Sequence, residues 1–223
     1  MYKIVKRFFD FLLSSICLLI LSPVLVPVLI GLKFSGEGYI FYKQERVGFK
    51  NQHFFILKFA TMLKDSPNMA GGIFTSKNDP RFTPMGPFLR KSKINELPQL
   101  FNIWLGHMSF VGPRPVMPIS FAAYPQNVQQ VIYNVQPGLT GIGSIVFRDE
   151  EQLIASKKEA GEDAWAFYEN ELYPFKGELE RWYQERQSFV LDVKILLATA
   201  LVVALPKSNI VTLFFKGLPK RPF

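Results

Sequence analysis

Apolar residues gather into long runs near the two ends of this chain and recur at short periods between them. From Phe11 to Leu32 no residue is charged, a stretch long enough to cross a bilayer, for which about 20 apolar residues are needed. Ser22, Pro23 and Pro27 interrupt it. They divide the run into halves of about 10 residues, a length suited to a re-entrant segment rather than a span. Lys3, Lys6 and Arg7 stand before the run, and Lys33, Lys43, Arg46 and Lys50 follow it. Cations on both flanks favour both ends on the cytoplasmic side. The pattern therefore predicts a re-entrant helix broken at Ser22-Pro23, with Ser22 bonding a carbonyl that Pro23 frees. A cleaved signal peptide is the poorer reading, because no small-residue cleavage site follows.

Beyond Gly36 and Gly38 the period shortens. Tyr39–Gln44 and Phe54–Phe59 read as two strands joined by a turn between Gly48 and Gln52, a β-hairpin. Residues 65–87, with four prolines and three glycines, read as loop. Leu97, Leu100, Phe101 and Trp104 then recur at helical spacing, with Asn95 as the expected N-cap and Gly106 as the stop. A Pro-rich loop at 112–115, a Gly-rich turn at 137–143 and an acidic helical stretch at 149–187 follow, the last expected to be a solvated face. Residues 189–205 are again apolar, but Asp192 and Lys194 leave 11 clean residues from Ile195 to Leu205, too few to span a bilayer. Together with Phe214, Phe215, Lys216, Lys220 and Arg221 they read as an interfacial helix and a basic, aromatic tail on a membrane. For Val190–Leu205 a buried core helix is the competing reading.

Charge sharpens this picture. The 223 residues carry 26 Lys and Arg against 18 Asp and Glu, a net +8, with 48% hydrophobic residues, too apolar for a disordered basic tail. Residues 122–188 hold 6 basic and 11 acidic groups, so the cationic excess lies where the apolar runs are. Basic charge beside apolar surface points to membrane lipids, and no nucleic-acid module is visible. One Cys and two His exclude a disulfide framework and a structural zinc site; Cys17 reads as a small buried hydrophobe.

The densest set of chemical groups lies between residues 77 and 115. Lys77, Arg81, Arg90, Lys91, Lys93 and Arg114 surround Asn95-Glu96 at the expected helix start, where free amides favour anions. Each group also has a plain structural reading: Asn95 as a cap, Glu96 as a complement to the helix dipole, Arg114 as a brace for its loop, and His107 as a surface residue.

The string from Arg90 to Leu100, followed by Asn102, Gly106, Met108-Ser109 and Val111-Gly112-Pro113-Arg114-Pro115, closely resembles the signature of the bacterial sugar transferase family, the monotopic phosphoglycosyl transferases. Lys6-Arg7, Asp10, Ser22-Pro23, Gln44–Gly48, Lys58-Phe59, Asn78–Arg81, Pro137–Gly141 and Asp192–Thr199 extend the resemblance over nearly the whole chain. The resemblance implies transfer of a sugar 1-phosphate from a UDP-sugar to undecaprenyl phosphate with release of UMP, as the first step of a lipid-linked glycan pathway. It also implies Mg²⁺, the inner bacterial membrane with the catalytic domain facing the cytoplasm, and a catalytic Asp-Glu pair that forms a covalent phosphosugar intermediate on Asp. By the same resemblance Glu96 binds the metal, and Lys58, Arg90 and Arg114 are phosphate contacts. The expected fold is α+β and mostly helical: a re-entrant membrane helix at 1–34, a catalytic domain with a small β-hairpin at 35–188, and an interfacial helix with a basic aromatic tail at 189–223. The membrane-facing helices leave a homodimer open.

Three positions depart from the family pattern. The catalytic pair reads Asn95-Glu96, and a neutral amide is a far weaker nucleophile than a carboxylate. His107 stands for an Asp, and Ala60 for an Arg after Lys-Phe. Three readings follow: a variant enzyme that uses another nucleophile, a catalytically silent relative that binds or scaffolds at the membrane, or an Asp replaced deliberately to trap a complex.

Overall fold

The computed structural model describes residues 2–69, 79–205, 211 and 214–222. In chain order the elements are α1 (Tyr2–Phe34), β1 (Phe41–Val47), β2 (His53–Phe59), α2 (Gly86–Lys91), α3 (Gln99–Leu105), β3 (Ser109–Val111), α4 (Pro118–Ala122), α5 (Gln126–Gln129), β4 (Gly138–Thr140), α6 (Ile142–Val146), α7 (Glu150–Glu159), α8 (Ala164–Phe167), α9 (Tyr173–Glu185) and α10 (Phe189–Ala204). The chain is thus mostly helical, with β1 and β2 forming the expected hairpin. The hairpin turn carries Lys50 and Asn51 at positive φ. By its contacts the chain divides into two interleaved units, one of residues 1–10, 45–54 and 106–223, the other of residues 11–44 and 55–105.

In the second unit the hydrophobic positions of α1 explain its core. Leu25, Val28 and Leu32 pack in one cluster with Phe59 of β2 and Leu89 of α2, joined by Ile94 and Leu97. The rest of α1 leaves large apolar side chains exposed, among them Leu19, Ile20, Val26 and Ile30. A 33-residue helix is about 50 Å long, more than a hydrocarbon core of about 30 Å requires. Helical backbone continues through Ser22, Pro23 and Pro27, so the break expected at Ser22-Pro23 is corrected to prolines inside one helix. The reason is local: Pro23 cannot donate to the Leu19 carbonyl four residues back, and Ser22 Oγ does so at 2.7 Å. Cys17 is half-buried rather than buried.

The first unit is built round a short parallel ribbon that the sequence did not announce. β3 and β4 pair in register Ser109↔Gly138 and Val111↔Thr140. A Cβ on Gly112 would lie 2.4 Å from the Gln136 carbonyl oxygen and one on Gly138 2.2 Å from the Gly112 nitrogen, so the backbones meet where only glycine fits. α10 packs on this ribbon and on α6, and α9 packs on α5 and α6. Thr199 of α10 and Thr140 of β4 share a hydrogen bond of 2.9 Å.

The 149–187 stretch is not simply a solvated face. α9 buries Phe175, Leu179, Trp182 and Tyr183 at helical spacing, and Glu180 with them. Glu150 pairs with Lys176 at 2.7 Å, and Asp149 accepts two hydrogen bonds from Arg221. Two tail residues are likewise drawn into the protein: Phe215 is buried edge-on to Trp182, and Arg221 is held by Asp149. For these two the surface reading is corrected, because an aromatic ring and an opposite charge were within reach. α10 combines both readings of its sequence, burying Leu191, Ile195, Ala198 and Val202 while Val190, Val193, Leu197 and Val203 stay exposed.

Candidate active site

Four of the five residues singled out for substrate or metal, Lys58, Arg90, Asn95 and Glu96, lie in the second unit; Arg114 belongs to the first. Lys58 precedes the last residue of β2. Asn102 stitches α3 to this strand, its Oδ1 accepting from the Leu57 amide at 2.9 Å and its Nδ2 donating to the Phe55 carbonyl at 2.8 Å. Arg90 sits in the last turn of α2, its guanidinium 5.4 Å from the Phe82 ring centre. α2 ends where Lys93 takes a left-handed conformation, φ 59°. A single 3₁₀ turn, Ile94–Glu96, follows before α3.

Asn95 is therefore not the N-cap expected. It lies inside the 3₁₀ turn, because Pro98 at the approach to α3 shifts the helix start to Gln99. Only 8% of it is exposed. Its Oδ1 is buried without a hydrogen-bond partner among the described residues, an arrangement that costs free energy unless a ligand supplies the donor. The neighbours of all four residues are members of one cluster: Phe59 beside Lys58, Leu89 beside Arg90, Ile94 and Leu97 flanking the Asn95-Glu96 pair. That cluster includes Leu25, Val28 and Leu32 of α1. Two cationic side chains, an orphaned amide oxygen and a carboxylate are thus anchored to the same apolar core as the membrane-type helix.

Other members of the expected cationic cluster are disposed differently. Arg81 is buried in a two-pronged pair with Asp79, at 2.8 and 2.6 Å, and is committed to structure. Lys77 and Asn78 fall outside the described residues. Lys91 and Lys93 are exposed, as is His107 of the first unit. Ala60 is fully buried.

Arg114 has an exposed side chain on a rigid loop. The Tyr133 hydroxyl donates to the Arg114 carbonyl at 2.8 Å and accepts from the Val116 amide at 3.1 Å. Gly138 donates to the Pro113 carbonyl at 2.8 Å, and Arg46 to that of Pro115 at 3.3 Å. Burial drives the Tyr133 hydroxyl well above the ordinary phenol range, so it stays a donor. Arg114 also acts on the Glu150–Lys176 pair. Burial alone would raise Glu150, but Lys176 and a hydrogen bond from Tyr168, with Arg114 nearby, hold it below the usual carboxylate range. Glu180, 4% exposed, is pushed up to about 8 by burial, against the opposing pull of Lys176 and the Gly143 amide. This buried acid–base cluster was missed in the sequence; the apolar spacing of Phe175, Leu179 and Trp182 was the signal that put one face of α9 inside.

Among the described residues no three His, Cys, Asp or Glu converge as a metal cage. A magnesium ion needs less, since it keeps several waters and takes one or two protein oxygens plus substrate phosphates. The orphaned Asn95 Oδ1 and the adjoining Glu96 carboxylate are hard oxygen donors that fit that demand.

The chain is 38% identical over 157 residues to an undecaprenyl-phosphate glucose phosphotransferase of Komagataeibacter xylinus, covering 65% of this chain and 30% of that protein. It is 32% identical over 215 residues to an uncharacterized sugar transferase of Haemophilus influenzae, covering 90% of this chain and 41% of the relative. With the exopolysaccharide production protein ExoY of Rhizobium meliloti it shares 39% over 160 residues, 65% of this chain and 70% of the relative. The chain thus spans less than half the length of the first two. The sequence pattern of the whole family, bacterial sugar transferase, matches residues 1–206, and to that family this chain belongs.

Proposed function

We propose that this protein transfers a sugar 1-phosphate from a UDP-sugar to undecaprenyl phosphate at the cytoplasmic face of the inner bacterial membrane, releasing UMP and starting a lipid-linked glycan. The observation that carries the reading is the common anchorage of Lys58, Arg90, Asn95 and Glu96 on the core shared with α1. An enzyme joining a soluble nucleotide sugar to a lipid phosphate needs phosphate-binding groups fixed to a membrane helix. In this reading α1, one helix with Pro23 and Pro27 inside it, is the membrane anchor.

Both substrates are anionic, so their approach must be neutralised. Arg90 and Lys58 supply charge to the phosphoryl oxygens, Arg in a two-pronged fashion and Lys as a point charge. Asn95 is too weak a nucleophile to form a phosphosugar ester, and we assign it to orienting a phosphate. The acceptor's phosphate oxygen attacks the sugar-bearing phosphorus, a new P–O bond forms, and the bond to the bridging oxygen breaks to release UMP. Magnesium, held by Glu96 and Asn95 Oδ1, would supply further neutralisation of the pyrophosphate.

UMP release from a panel of UDP-sugars, with undecaprenyl phosphate and Mg²⁺ in nanodiscs, tests the reading. Turnover by the native protein supports it. A silent native protein that Asn95→Asp brings to life would instead assign the chain to a binding or scaffold role, a reading favoured by the neutral side chain at 95. Exchange of labelled UMP into UDP-sugar without acceptor would overturn direct attack in favour of a covalent intermediate on Glu96.

A further inference from the structure

Within the first unit, Trp182 of α9, Leu191 and Lys194 of α10, and Phe214, Phe215 and Lys216 of the tail line a cavity of about 470 Å³. This volume is in the range of sites for small ligands. Its polar groups are all donors. Lys194 and Lys216 are exposed and have no ion-pair partner among the described residues. Trp182 is 8% exposed, and its Nε1–H is buried without an acceptor among the described residues, although indole nitrogens ordinarily find one when buried. Two cations and one orphaned N–H call for an anion with several acceptor oxygens. The remaining lining, Leu191, Phe214 and Phe215, is apolar, so the ligand must also carry hydrocarbon.

The surroundings identify the source. Lys194 stands on α10 between Val193 and Leu197, part of its exposed apolar face. That face continues onto the first turns of the membrane helix, where Phe9 packs on Phe189 with ring centres 4.9 Å apart. We propose that this cavity binds the phosphate head group of an anionic phospholipid, with both lysines and the Trp182 N–H on the phosphate oxygens and the acyl chains along α10. The proposal rests on the membrane reading of α1 and α10, and not on the transferase chemistry. It would attach the first unit to acidic bilayers at a place built from none of the five residues assigned to substrate or metal.

The test uses the full chain in neutral detergent and a fluorescent short-chain phosphatidylglycerol. Saturable binding is expected, displaced by unlabelled phosphatidylglycerol and not by phosphatidylcholine, and weakening as salt is raised. The Lys194→Ala/Lys216→Ala variant should lose about 10- to 30-fold in affinity, and Trp182→Phe about 3- to 10-fold. The Lys194→Arg/Lys216→Arg variant should keep binding, which separates lost charge from lost folding. Unchanged affinity in the alanine and phenylalanine variants would overturn the proposal, as would salt-independent binding. Equal displacement by inorganic phosphate would make the site one for free anions. Displacement by undecaprenyl phosphate alone would make it an acceptor site, and either result refutes a phospholipid. Failure to enter phosphatidylcholine nanodiscs would refute the membrane reading itself. Phosphatidylglycerol binding without UMP release would leave the lipid site standing and remove the transferase.

Discussion

Asp192 in the first unit and Asn95 in the second are both more than nine-tenths buried, yet they are treated in opposite ways. The Asp192 carboxylate accepts from Lys6 at 2.6 Å and from the Tyr2 and Tyr183 hydroxyls at 2.7 Å each. Asn95 Oδ1 accepts from nothing among the described residues. A folded chain saturates the polar groups it buries for its own stability. An acceptor left open inside an otherwise well-packed turn is therefore better explained by what binds there than by what holds the fold.

Removing the saturated group should do the greater damage to the fold. Asp192→Ala strands a half-buried lysine and two phenols and should cost about 2–4 kcal/mol, seen as a large fall in the unfolding midpoint in detergent; a change within about 1 kcal/mol would show the cluster to be slack. Glu96→Gln should lower UMP release about 100-fold or more while leaving that midpoint nearly unmoved; equal losses in activity and stability would make Glu96 a structural residue. Asn95→Leu removes an acceptor that the fold does not use, so stability should hold or rise slightly while turnover falls about 10-fold or more. A marked loss of stability would place Asn95 with Asp192 on the structural side.

Glu180 offers a comparison by pH. Its folded form holds the proton up to about 8 because the site is dry, whereas the unfolded chain releases it near the ordinary Glu value of about 4.3. Between these values the folded state binds more protons, so stability falls as pH rises through this window and levels off above it. Melting at pH 5, 7 and 9 should show the decline, and Glu180→Gln should flatten it. The smallest expected effect is that of Ser22→Ala, about 0.5–1.5 kcal/mol, since it takes from the Leu19 carbonyl the bond that stands in for the one Pro23 cannot make.

Much of this was written locally in the sequence. The hairpin is marked by its alternation and its turn, the end of α3 by Gly106, and the service of Ser22 to a proline-freed carbonyl by adjacency. The local signals failed where distant partners decide. β3 and β4 are 3 residues each, too short for any period to register, and they exist because Gly112 and Gly138 let two backbones meet. Glu180 looked solvated by composition, but its neighbours at helical spacing put it inside. For the site, the residue types and their order were legible. The unsatisfied state of Asn95 was not, because it follows from the 3₁₀ turn that Pro98 imposes.

The cluster at Asp192 has a consequence for how the protein is made. Its partners Tyr2 and Lys6 are separated from it by 190 and 186 positions. The residues of α1 are translated before all those that lie between it and Asp192. Its amino-terminal lysine and tyrosine must then wait for nearly all the intervening sequence before their acceptor arrives. Closure of the first unit is thereby a late event, a long-range contact of the kind that slows folding.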